Sequence, residues 1–148
     1  MVSYQWSDDS GHSGTAIPFA LNTYRDLASL CADGPDFPVV GTVAAQPPAV
    51  GERVRIVGYD WRNRAAAYAT RVWEVKVTRI VARHIVMLEG SDFGSSGSCV
   101  LDASGKIVGI MSRLTPVEGL GSSYAGVAVG VWGDALAERQ KVCPEPGA

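Results

Sequence analysis

The chain has 148 residues, 47% of them hydrophobic, enough for one domain with a sizeable core and more than a disulfide-dependent miniprotein carries. A formal net charge of −2, with no run of lysine and arginine, leaves no electrostatic footprint for a nucleic acid. No apolar stretch approaches the roughly 20 residues that span a bilayer, so no membrane partner is expected, and the opening Met1-Val2-Ser3-Tyr4-Gln5-Trp6 lacks the basic and apolar regions of a leader peptide.

Glycine (17) and proline (8) punctuate short apolar runs, which favours many strands joined by turns. In chain order, strands are predicted over residues 2–6, 15–21, 27–31, 53–59, 71–81, 85–88, 99–102, 107–113 and 124–131. The segment Val72-Trp73-Glu74-Val75-Lys76-Val77-Thr78-Arg79-Ile80 largely alternates apolar and polar residues, as a strand with one buried face does. Between the third and fourth strands, Ala44-Ala45-Gln46-Pro47-Pro48-Ala49-Val50-Gly51 reads as a connector. A short helix is expected after Gly133-Asp134, over Ala135-Leu136-Ala137-Glu138-Arg139-Gln140-Lys141, with Pro144 just beyond its end. Cys31, Cys99 and Cys143 have no metal-type spacing, and their odd number leaves at least one thiol free or bonded between chains. No metal or cofactor site is expected. The acidic pairs Asp8-Asp9 and Glu89 with Asp92 read as solvated loops, and the scattered Trp6, Trp61, Trp73 and Trp132 as packing residues.

The richest stretch is Gly94-Ser95-Ser96-Gly97-Ser98-Cys99-Val100-Leu101, followed by Gly105-Lys106-Ile107-Val108-Gly109-Ile110-Met111-Ser112. Glycines here permit a tight turn that presents a serine hydroxyl and leaves backbone N–H groups for an oxyanion. Alone, such a string also suits an ordinary hairpin turn. Its context is more specific: a strand, a turn glycine and a second strand beginning Gly109-Ile110 follow in order. Upstream stand Arg25-Asp26-Leu27-Ala28-Ser29-Leu30 and Val50-Gly51-Glu52-Arg53-Val54-Arg55-Ile56-Val57-Gly58-Tyr59, and downstream Tyr124-Ala125-Gly126-Val127-Ala128-Val129. Over residues 26–139 this ordered set resembles the trypsin-like serine peptidases.

The resemblance implies an all-β, chymotrypsin-like double β-barrel with the first barrel incomplete and a short C-terminal helix. The implied divisions are a remnant first barrel at 1–46, a second barrel at 47–131, and helix and tail at 132–148. Ser96 would be the nucleophile, Asp26 the aspartate that orients a histidine, and the N–H groups of Gly94 and Ser96 the oxyanion hole. Ser112 would support the aspartate. Gly90, Met111 and Gly126 would line the specificity pocket; with Gly90 and not Asp92 near its base, a small or apolar side chain is expected there. Ser95 stands where many relatives carry an acidic or amide residue, which argues against a zymogen switch, and Cys99 stands where proline is common. The implied partner is a peptide or protein substrate. A first barrel short of strands would also leave exposed strand edges through which the protein associates.

The family's general base lies in a Thr-Ala-x-His context well upstream of the aspartate, and nothing of that kind precedes Asp26. The chain has two histidines. His12 sits in the hairpin-like Asp8-Asp9-Ser10-Gly11-His12-Ser13-Gly14, and His84 precedes a strand where the family places no base. Two readings stand side by side: an N-terminally incomplete serine endopeptidase, which the retention of Asp26, Ser96 and Ser112 favours, or an inactive homologue that binds a peptide or protein.

Overall fold

The computed structural model describes residues 3–7, 11–32, 41–58, 71–88, 95–116 and 124–133. Through them run nine strands: β1 (Tyr4–Ser7), β2 (Ser13–Asn22), β3 (Leu27–Ala32), β4 (Arg53–Gly58), β5 (Arg71–Val81), β6 (His84–Leu88), β7 (Cys99–Leu101), β8 (Ile107–Pro116) and β9 (Tyr124–Gly130). Each coincides with a predicted strand, and the fold is all-β as expected. The helix expected over residues 135–141 lies outside the described residues. Two compact units divide the chain: Met1–Val40 with Leu136–Ala148, and Gly41–Ala135.

The first unit holds an antiparallel sheet in the order β1-β2-β3. Cross-strand partners share a face, so Tyr4 with Ala16, Pro18 with Leu30 and Leu21 with Ala28 set out one apolar side, with a register shift between Pro18 and Ala20. On it Tyr4, Leu21 and Leu30 are exposed and Ala16 is buried, while Leu27 and Cys31 of β3 are buried on the opposite face. Cys31 is disulfide-bonded. β2 and β3 are joined at Asn22 by a β-turn in which the Arg25 N–H donates to the Asn22 carbonyl at 3.2 Å and to its Oδ1 at 3.0 Å. Asp26 closes that turn with φ +55, a conformation aspartate tolerates better than most residues.

The second unit is a closed barrel, β4-β5-β6-β9-β8-β7, with β7 pairing back onto β4. Closure leaves no unpaired edge among these six strands. Period-2 alternation sends Val54 and Ile56, Val75 and Val77, Ile85 and Met87 inward, where Val100 and Val108 join them. Burial of each such side chain contributes about 1.5–3 kcal/mol. Trp73 packs on the edge of this core, and Trp6 is half-buried.

The barrel unit differs from expectation at both ends. It begins at Gly41, not at 47, because residues 42–44 are bound to it: Val43 bridges Ile107, the Ile107 N–H donates to the Thr42 carbonyl at 2.8 Å, and the Ala44 N–H donates to the Ile107 carbonyl at 2.9 Å. Ala44 is buried in the core, so the expected connector starts as part of the barrel. Trp132, placed from sequence in the helix-and-tail division and read as a packing residue, is a core residue of this barrel. Its carbonyl accepts Arg83 Nη2 at 2.6 Å, and the Arg83 guanidinium lies 4.8 Å from its ring centroid. Arg83 and Ala82 form the two-residue β5–β6 turn, both with positive φ (+65 and +48).

Candidate active site

Residues 95–98 lead into β7 as a tight turn closed by the Ser98 N–H donating to the Ser95 carbonyl at 3.0 Å. Gly97, third in the turn, has φ +89, whereas Ser96 before it has no positive φ, which is the pattern of a type II turn and the reason for glycine there. Two backbone hydrogen bonds clamp this turn to β8: Gly97 N–H to the Met111 carbonyl at 2.8 Å, and Met111 N–H to the Ser98 carbonyl at 2.9 Å. Ser95 and Ser98 are buried. Ser96 alone among the three serines is exposed, at the tip, and its Oγ donates to the main-chain carbonyl of Ser112 at 3.2 Å.

Ser96, Ser112 and Met111 are thus brought together. Met111 contributes its backbone to the clamp, and its side chain belongs to the barrel core. Gly126 is buried in β9 between Met87 of β6 and Leu114 of β8. Next to it, Ala125 helps line an open depression of about 550 Å³ with Val86, Leu88, Thr115 and Pro116. Gly94, Gly90 and Asp92 lie outside the described residues. Asp26 belongs to the other unit, exposed at its hairpin turn. The sequence motifs mark Ser112 as a partner for the aspartate; they do not reveal that its carbonyl takes the Ser96 hydroxyl.

Neither histidine is placed beside this turn within the barrel unit. His12 is exposed in the β1–β2 hairpin of the first unit. His84 pairs with Val129, Val129 with Ile110, and Ile110 with Cys99. It therefore stands on the barrel wall opposite β7. Its neighbours Ile85 and Met87 alternate with it: Ile85 points inward, so His84 points outward, with Nδ1 3.1 Å from the Ala82 carbonyl. Cys99, free and half-buried, has its thiol pushed up by desolvation, so little thiolate forms near neutrality. Among the described residues no cluster of His, Cys, Asp and Glu could hold a metal ion.

Such an arrangement can present a hydroxyl to an approaching carbonyl, but the Ser112 oxygen accepts a hydrogen bond without accepting a proton. Comparison with known proteins gives this turn its setting. A Glu endopeptidase solved in complex with MPD is 17% identical, with a TM-score of 0.66 over 88% of this chain and 66% of that one. A serine endoprotease from Yersinia pestis is 21% identical, with a TM-score of 0.66 over 88% of this chain and 44% of the other. The MamO protease domain from Magnetospirillum magneticum is 18% identical, with a TM-score of 0.61 over 95% and 75%. At these identities the likeness is one of fold, and the chain spans less than two thirds of the length of the first two. No curated protein sequence matches it. The sequence profile of the trypsin-like peptidase domain matches residues 4–110, from β1 through the turn that carries Ser96 and into β8. The chain belongs to the trypsin-like peptidase domain family.

Proposed function

We propose that this domain is the nucleophile-bearing part of a serine endopeptidase, hydrolysing peptide bonds through an acyl intermediate on Ser96, with a general base supplied from outside these 148 residues and little activity on its own. The observation that supports it is the single exposed serine at the tip of a turn clamped to β8. In this reading Ser96 attacks the scissile carbonyl, and the Gly94 and Ser96 N–H groups hold the tetrahedral oxyanion. Asp26 is the residue proposed to orient an incoming imidazole. Gly90, Met111 and Gly126 shape the pocket for a small or apolar side chain on the acyl side of the cut. Cleavage profiling of an active form tests that preference, and strict selection of arginine or lysine would refute it.

A second reading, an inactive homologue that binds a peptide or protein, is favoured by the position of His84 on the far wall of the barrel. A fluorophosphonate probe separates the two. Labelling that rises when imidazole is added and vanishes in Ser96→Ala supports the peptidase, and no labelling under any condition supports the binding module. The proposal includes self-association through the edges of β1 and β3, which pair on one side only among the described residues.

A further inference from the structure

The end of β4 meets the Ser96 turn one step beyond the last β4–β7 pair, Val57 with Cys99. There Gly58 stands against Ser98. A Cβ on Gly58 would lie 2.6 Å from Ser98 Cβ and 3.2 Å from Ser98 Cα, with Ser98 Oγ closer still. Such separations force atoms to move. Gly58 has no positive φ, so the demand here is for space and not for a special backbone conformation. Ser98 is only 7% exposed, which leaves its side chain little room to swing aside. The same residue closes the turn through its N–H and receives the Met111 N–H on its carbonyl. Pushing Ser98 therefore pushes both bonds that shape the turn around Ser96.

We infer that Gly58 is a positioning residue for Ser96: the side chain missing at the end of β4 forms a socket that seats Ser98, and Ser98 fixes the turn. Its catalytic consequence rests on Ser96 being the nucleophile; the socket itself does not. Alternation along β4 explains its place. Val54 and Ile56 point inward and are fully buried, and position 58 is the next on that face. In place of a third β4 side chain, that space is taken by the hydroxymethyl group of Ser98, from the turn that leads into β7.

Four variants test this: Gly58→Ala, Ser98→Gly, the two combined, and Gly130→Ala, whose new Cβ would instead strike the Trp132 ring. The first readout is amide hydrogen exchange at Gly97 and Met111, compared with Val77 and Val131, whose N–H groups bond elsewhere in the barrel, to Glu52 and Val108. In Gly58→Ala, exchange at Gly97 and Met111 should accelerate about tenfold or more while Val77 and Val131 hold. Adding Ser98→Gly should restore protection, and Gly130→Ala should lower Tm without singling out Gly97 or Met111. The second readout is fluorophosphonate labelling of Ser96 with imidazole present, expected to fall about tenfold to a hundredfold in Gly58→Ala and to recover in the double variant. Should Gly58→Ala not fold, Ser98→Thr crowds the same socket from the other side and should show the same exchange pattern. Unchanged exchange in the crowded variants, or a loss that Ser98→Gly does not rescue, would overturn the inference. If no form labels, the wild type included, the peptidase reading fails while the exchange comparison still decides the socket.

Discussion

The Ser96 hydroxyl donates to the main-chain oxygen of Ser112 at 3.2 Å, across a span of 16 residues. An acceptor of this kind orients the hydroxyl and leaves it un-ionised, so wild-type labelling by a fluorophosphonate should be slow. Added imidazole, largely unprotonated at pH 8, should accelerate it in proportion to its concentration. Ser96→Ala should abolish both components, as read by intact-mass spectrometry.

Gly97 tests the turn itself. Among the described residues nothing beyond its chain neighbours lies within 4 Å of a Cβ built there, so the expected effect of Gly97→Ala is conformational. Forcing alanine to φ +89 should cost roughly 1–2 kcal/mol in urea unfolding. Labelling of Ser96 should fall with it.

The β5–β6 turn sets strain against anchorage. Type I′ turns favour Asn-Gly, and this one uses Ala82-Arg83 with both φ values positive. Ala82→Asn should stabilise the protein by about 0.5–1 kcal/mol. Arg83→Gly relieves the same kind of strain but removes the bond to the Trp132 carbonyl and the stacking over its ring, and should destabilise by about 1–2 kcal/mol. Opposite signs from adjacent positions, measured by chemical denaturation, are the expected result.

Asp102 should contribute to acid sensitivity. Partial desolvation would raise its carboxyl, but hydrogen bonds from the Ser104 hydroxyl and from the Lys106 and Ser104 N–H groups, with the Lys106 charge, bring it below its ordinary value. Its folded-state pKa is thus depressed, so its stabilisation is complete above the unfolded value of about 3.9 and is lost as pH falls through the folded value. The stability difference between wild type and Asp102→Asn should shrink over that acid range and stay constant above it, as read by urea melts at each pH.

In the proposed association through the β1 and β3 edges, the exposed apolar side chains of the first sheet should add to the contact. Leu21 is 67% exposed and Leu30 47% exposed. Sedimentation velocity should show mass rising with concentration, and Leu21→Lys with Leu30→Lys should suppress it.

The strands were legible because valine and isoleucine recur at every second position, as in Val54 and Ile56 or Val75 and Val77, and because Gly97 and Gly105 mark turns that need positive φ. Other features depend on contacts distant in sequence. The Ala82-Arg83 turn carries no glycine or asparagine to announce it, and only Trp132, 49 residues beyond Arg83, accounts for the arginine. Ala44 reads as the start of a linker because small residues carry no periodicity, yet its backbone N–H binds Ile107, next to the bond from Ile107 to Thr42. In the site, the serine and its glycines stand adjacent in sequence, whereas Gly58 and Ser98 meet only after the barrel closes.

Closure of that barrel makes the Ser96 turn a self-contained cassette. The bonds that shape it run to Met111 and Ser112 of β8 and to Ser98, which leads directly into β7 of the same closed barrel. In the proposed reading, the nucleophile's half of an acyl-transfer apparatus would be preformed within the barrel unit, and a proton acceptor delivered on a separate polypeptide would meet a hydroxyl already in place.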